Sequence, residues 1–259
     1  MEVFRLAKIY GCGSTTITGD GEPLLHPRIN DIIVSIKRMN IDVGVVCNGW
    51  YLNRLSRKAL DSITWMRISL GDKQTPKPEW WWTTISDIAS RTKIDMSFSY
   101  VLTYEPEIEL IEKMIKFANE NNFTHIRIVN NIFEADNLAL VMEKVKRTVR
   151  KHGIDDSIVI WQSRSTWTHG TKKCYISLLK PVLGSDGYWY SCCGNQYMTA
   201  NPERRYVYPM SPYRCADGLR DIIENQRYFD GSICVKCYYS NYNYYLGVLL
   251  RGIKHRRFV

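Results

Sequence analysis

The chain has 259 residues, 45% of them hydrophobic and 24% charged, with a net charge of +9 and a pI near 9.1. A chain of this length buries a sizeable core, as one large domain or one with a small appendage, and the composition is that of an ordinary globular protein. No apolar run approaches the roughly 20 residues that span a bilayer, and Met1-Glu2-Val3-Phe4 is unlike a signal peptide, so the expectation is a soluble, cytoplasmic protein with no membrane partner.

Residues 1–14 read as the end of a helix and a turn, with Phe4, Leu6 and Ala7 ahead of Tyr10-Gly11-Cys12-Gly13. Thr15-Thr16-Ile17-Thr18 is a β-branched strand, and Ile29, Ile32, Ile33 and Ile36 set a helix over about 28–39. Between them lies Gly19-Asp20-Gly21-Glu22-Pro23. Its glycines reach backbone angles closed to other residues and let a ligand lie against the main chain. Glu22, next to a rigid proline, sits at the strand's C-terminal end, where α/β folds place their chemistry.

Val43, Val45 and Val46 mark a buried strand over 42–47 that ends at Asn48-Gly49, followed by a short helix over about 52–60. Strand 64–70 ends at Gly71-Asp72, before an irregular stretch holding Pro76, Pro78 and Trp80-Trp81-Trp82. Then come helix 83–91, strand 94–102, helix 107–121, strand 124–129, helix 136–152 and strand 157–161. Six strands separated by helices predict a parallel sheet with right-handed crossovers. That suits a partial (β/α) barrel, with a flat doubly wound sheet as the alternative.

Past Gly170 helical periodicity fades, apart from a helix at 217–226, and cysteines, tyrosines and turns such as Ser185-Asp186-Gly187 take over. The predicted division is 1–168 and a small cysteine-rich domain over 169–259. A unit so poor in regular structure needs a staple. Six of the eight cysteines fall here: Cys174, Cys192, Cys193, Cys215, Cys234 and Cys237. Clustered cysteines in an intracellular protein read as metal ligands, and a Cys-x2-Cys pair joined by a second pair suits zinc or an iron–sulfur cluster equally.

The stretch Thr18 to Pro27 resembles the Gly-Gly-Glu motif region of radical S-adenosylmethionine enzymes. Val45-Val46-Cys47-Asn48-Gly49 and Arg67-Ile68-Ser69-Leu70-Gly71-Asp72 resemble that family's next two strand endings. Cys174-x12-Gly187-x4-Cys192, with a helix leading into Cys234-x2-Cys237, resembles its SPASM/twitch extensions. The resemblance covers roughly residues 8–240. It implies that Gly19, Asp20, Gly21 and Glu22 bind the amino group of S-adenosylmethionine, with Asn48 and Ser69 lining the same cavity. It also implies that Cys174, Cys192, Cys234 and Cys237 hold an auxiliary 4Fe–4S cluster, with Cys193 or Cys215 as substitutes.

The family's Cys-x3-Cys-x2-Cys loop for the radical-generating cluster belongs ahead of this motif, and only Cys12 precedes Gly19. The expectation is a truncated start, a separate polypeptide that supplies the missing segment, or lost catalysis. With the loop restored, the implied activity is radical modification of a substrate, by analogy a peptide or protein. The alternative is a non-catalytic iron–sulfur or zinc protein that binds a partner. Basic charge admits nucleic acid weakly, because runs such as Lys144-Val145-Lys146-Arg147 more often solvate a helix face. His26 and His125 read as structural, Trp80–Trp82 as a loop packed on the barrel, and Tyr238 to Tyr245 as a cover over the cluster.

Overall fold

The structure, a computed structural model, describes all residues except 20, 72–75, 132–134, 164–168, 197–208, 235, 236, 238 and 251–259, and except the side chains of 135–137, 195 and 196. It divides into two compact units, one of residues 11–165 and one of residues 2–10 with 166–259. Among the described residues no helix is long and apolar enough to cross a membrane.

The first unit is built on one parallel sheet: β1 (Ser14–Ile17), β2 (Asp42–Cys47), β3 (Trp65–Gly71), β4 (Asp95–Leu102), β5 (His125–Asn130) and β6 (Val159–Gln162). Their spatial order is their order in the chain. Right-handed crossovers that always step the same way put every connecting helix on one face. A doubly wound sheet needs a reversal of strand order, so that alternative is excluded and the partial (β/α) barrel stands. The helices are α2 (Ile29–Lys37), α3 (Arg57–Leu60), α4 (Glu79–Arg91), α5 (Ile108–Glu120) and α6 (Ala135–Lys151).

Strand alternation sends one set of side chains towards those helices. Val43, Val45, Cys47, Met66, Ile68, Leu70, Met96, Phe98, Tyr100, Ile126 and Ile128 are buried there. Phe98 meets Trp81 and Trp82 of α4, Phe117 of α5, and Phe123. The three consecutive tryptophans are therefore not a loop. Pro78 stands at the cap of α4, where a missing N–H costs nothing, and the helix starts at Glu79. Trp81 and Trp82 face the core and Trp80 faces outwards, 51% exposed.

In the second unit, α1 (Glu2–Ile9) lays Val3, Leu6 and Ala7 on Trp189, Leu219 and Ile222. Nothing in the order of the chain signals that pairing, and an unbroken first domain from residue 1 would not contain it. The unit also holds α7 (Ile176–Leu179), the hairpin β7 (Val182–Leu183) and β8 (Trp189–Tyr190), α8 (Cys193–Gln196), α9 (Cys215–Glu224) and α10 (Ser240–Leu250). The tyrosine-rich stretch is thus largely a helix.

Gly49 carries a structural demand that can be measured. Its φ is +79°, and a Cβ would stand 2.8 Å from the Trp81 indole nitrogen. Gly49→Ala combines a left-handed backbone with a steric conflict in the core, and should cost about 2–4 kcal/mol. The expected readout is a fall in Tm on the order of 5–15 °C in thermal denaturation.

Candidate functional site

The C-terminal ends of β1 and β2 are joined by one side chain. Glu22 leaves β1 in an extended conformation and caps the 3-10 turn Pro23–Leu25, its Oε1 accepting from the Leu24 N–H at 3.0 Å. Its Oε2 accepts from the Asn48 N–H at 2.7 Å, just past the end of β2. Asn48 passes the linkage on. Its Oδ1 accepts from the Trp50 N–H at 2.9 Å, and its carbonyl accepts from the Trp81 Nε1–H at 3.3 Å. Sequence, turn, strand end and α4 are thus tied through one carboxylate and one asparagine.

Two N–H bonds leave lone pairs on both Glu22 oxygens, since an ionised carboxylate accepts about four hydrogen bonds. The residue is half-buried, and no basic side chain pairs with it among the described residues. Cys47 lies beneath it. Burial and then the Glu22 charge push the Cys47 thiol up to about 12. The carboxylate is therefore fixed by neutral donors and, among the described residues, meets no cation, which fits an ammonium ligand by charge-assisted bonding.

The flanking glycines act differently from the sequence expectation. Neither Gly19 nor Gly21 has a left-handed φ. What they leave is room: a Cβ on Gly21 would meet no heavy atom of the described residues within 4 Å. Asp20 lies outside the described residues. Ser69 is half-buried on β3, on the sheet face away from the helices, beside Ser99 of β4. Asn130, which sequence reasoning passed over, is 1% exposed near the C-terminal end of β5, with neither side-chain polar atom hydrogen-bonded. Only its position at a strand end marks it in the sequence.

The cysteines of the second unit are only partly brought together. Cys174 is 8% exposed and bridges Phe229 in antiparallel fashion. Cys237 is half-buried, and burial first, then its proximity to Cys174, raises its pKa. Cys234 accepts the Gly170 N–H through its carbonyl at 2.9 Å, where Gly170 packs so tightly that a Cβ would lie 3.0 Å from the Cys234 Cβ. The exposed Cys193 sits 3.9 Å from the Tyr239 hydroxyl, and Cys192 is half-buried at the start of the same turn. Among the described residues no three His, Cys, Asp or Glu side chains are gathered to hold a metal ion. The arrangement is a thiol pair with other thiols in reach along the chain, and it does not amount to a formed coordination shell.

Asn243, also unforeseen, organises that pair. It is 2% exposed in α10, donates to the Cys174 sulfur at 3.6 Å and accepts the Ile176 N–H at 3.1 Å.

No protein-family model matches the chain, and no curated protein matches its sequence. Solved structures, two of TYW1 among them, are similar over part of it. The crystal structure of archaeal TYW1 is 17% identical, covering 56% of this chain and 53% of that one with a TM-score of 0.37. The structure of TYW1 with a lysine–pyruvate adduct bound is 15% identical, covering 53% and 50%, with a TM-score of 0.39. The chain spans about half the length of these structures, and a likeness this slight carries no argument about activity.

Two measurements check the site's geometry. Glu22→Ala strands the Leu24 and Asn48 amides and should cost about 1–3 kcal/mol, with faster hydrogen exchange at Asn48. At pH 8 the buried Cys47, with only about one thiol in ten thousand ionised, should resist iodoacetamide while exposed Cys193 and Cys215 react.

Proposed function

We propose that this chain is the S-adenosylmethionine-binding part of a radical S-adenosylmethionine enzyme. One observation carries the reading: the Glu22 carboxylate stands at the strand ends fixed by two N–H groups, with no cation among the described residues, beside the open main chain of Gly21. In this reading Glu22 takes the ammonium of the methionine moiety. The backbone of Gly19 and Gly21 lies along that moiety, and Asn48 and Ser69 line the remainder of the cavity. When bound together with a reducing cluster, S-adenosylmethionine supplies a 5′-deoxyadenosyl radical for hydrogen abstraction. No residue of this chain is assigned to that reducing cluster.

The auxiliary 4Fe–4S cluster is the second part of the proposal. Its support is the donor chemistry of Cys174, Cys192, Cys234 and Cys237 and the closeness of Cys174 to Cys237. Metal binding has to gather these thiols more closely, a folding step of the kind that small metal domains couple to ligation. The substrate, on this reading a peptide or protein, is inferred from the resemblance alone. The competing reading is a zinc or iron–sulfur protein without catalysis, which the same cysteine donors would serve.

Gly21→Ala separates ligand contact from folding. With ordinary φ and empty space beside it, this substitution should leave Tm unchanged. It should weaken S-adenosylmethionine binding at least about tenfold in calorimetry by filling the space the ligand occupies. Unchanged affinity, with wild type binding, removes the motif from the site. After anaerobic reconstitution, about four irons per chain that are lost in Cys174→Ser support the auxiliary cluster. Zinc without iron contradicts it.

A further inference from the structure

The sheet face turned away from the helices is polar, and among the described residues the two arginines it carries pair with no acid. Strand register sets Arg67, Ser97 and His125 in one row across β3, β4 and β5, and Ser69, Ser99 and Arg127 in the next. Neighbouring strands lie about 4.8 Å apart, so two rows over three strands make a patch that one small ligand covers. Asp95, one row nearer the N-terminal ends of the strands, is exposed and pairs with neither arginine.

Each arginine is held in place. The Arg67 guanidinium carbon lies 4.6 Å from the centroid of the Trp65 ring. Arg127 donates through Nε to the Gln162 Oε1 at 2.7 Å. Yet the Arg67 Nε is buried without a hydrogen-bond partner, and among the described residues neither guanidinium meets a carboxylate. Burial first and then Arg127 lower Arg67 to about 10, and burial followed by both arginines lowers His125. Uncompensated like charges in a partly dry place cost stability unless an anion joins them.

From the unpartnered Arg67 Nε and from Arg127 two strands away on the same face, we infer that this face binds a small ligand through a terminal phosphate, held by Arg67 and Arg127 with the Ser99 hydroxyl. A terminal phosphate carries about −1.5 to −2 at pH 7, which matches two fixed cations. A carboxylate or a phosphodiester brings one negative charge and leaves one cation unmet. The planar guanidinium fork supplies paired donors to phosphate oxygens. This site goes beyond the S-adenosylmethionine reading and does not depend on it, because its anchors are neither Gly21 nor Glu22.

Inorganic phosphate is the probe, with acetate and chloride at matched ionic strength as comparisons. Phosphate should raise the Tm of the wild-type chain and bind in calorimetry, and acetate and chloride should not. Arg67→Gln and Arg127→Gln should each weaken phosphate binding at least about tenfold, and Arg127→Lys, which keeps the charge and loses the fork, should fall between. Without phosphate, Arg67→Gln should melt no lower than wild type, since it relieves repulsion; this distinguishes a ligand site from a structural role. Gly21→Ala should leave phosphate binding intact even where it abolishes S-adenosylmethionine binding. Equal stabilisation by acetate, undiminished phosphate binding in Arg127→Gln, or no binding of phosphate by the wild-type chain overturns the assignment.

Discussion

A carboxylate held by two backbone N–H groups from separate strand ends is the contact on which the first unit's working rim depends. Glu22 reaches Leu24 within its own turn and Asn48 on β2, and Asn48 in turn accepts the Trp81 indole N–H of α4. Each link satisfies a backbone group that the end of a strand leaves open, and such groups are costly to bury unpaired. Among the described residues the charge itself meets no cation. A carboxylate positioned by neutral donors keeps its full attraction for a cation, whereas one already paired with lysine or arginine does not. The same bonds that close the turn therefore prepare it for an ammonium.

The two faces of the sheet divide the labour. One is packed with aliphatic and aromatic side chains against α4 and α5, dense enough that Gly49 cannot accept a methyl group. The other carries buried Ser97 and Ser99 and half-buried Ser69, His125, Arg67 and Arg127. Parallel strands covered on both faces by helices read as continuous apolar runs. Here the polar alternation of Arg67-Ile68-Ser69-Leu70 is already a departure from that, and it follows from all crossovers lying on one side. The polar face is where a ligand can be taken without dismantling the core.

Much of this was legible in the sequence, because period-2 and period-3.6 patterns are local. All six strands and the order β–α–β follow from runs such as Val43 to Val46 and Ile29 to Ile36. The strand order, which excludes the doubly wound sheet, does not, since either topology uses the same pattern. Trp80–Trp82 misled because the two prolines just ahead of them, Pro76 and Pro78, suggested a loop, whereas Pro78 serves as the helix start. The Glu22 motif was visible as a motif, but its bond to Asn48 joins residues 26 positions apart and only the fold brings them together. The Arg67–Arg127 pair was hidden for the same reason: it spans three strands. In the second unit, a short polar segment with tyrosines gave no sign that Asn243 is buried on Cys174. The spacing of the cysteines identified the donors and left unsaid how far the chain alone would gather them.

The claim at the centre is that the rim around Glu22 takes S-adenosylmethionine while the arginine face of the same sheet takes a different ligand. The most direct test is an amide and arginine-side-chain NMR titration of the labelled chain with S-adenosylmethionine. The account predicts shifts at the backbone amides of Gly19, Gly21 and Asn48, with the Arg67 and Arg127 Nε–H signals unmoved until phosphate is added. Saturating S-adenosylmethionine that leaves Gly21 and Asn48 unshifted, or that moves the arginine signals first, would contradict it.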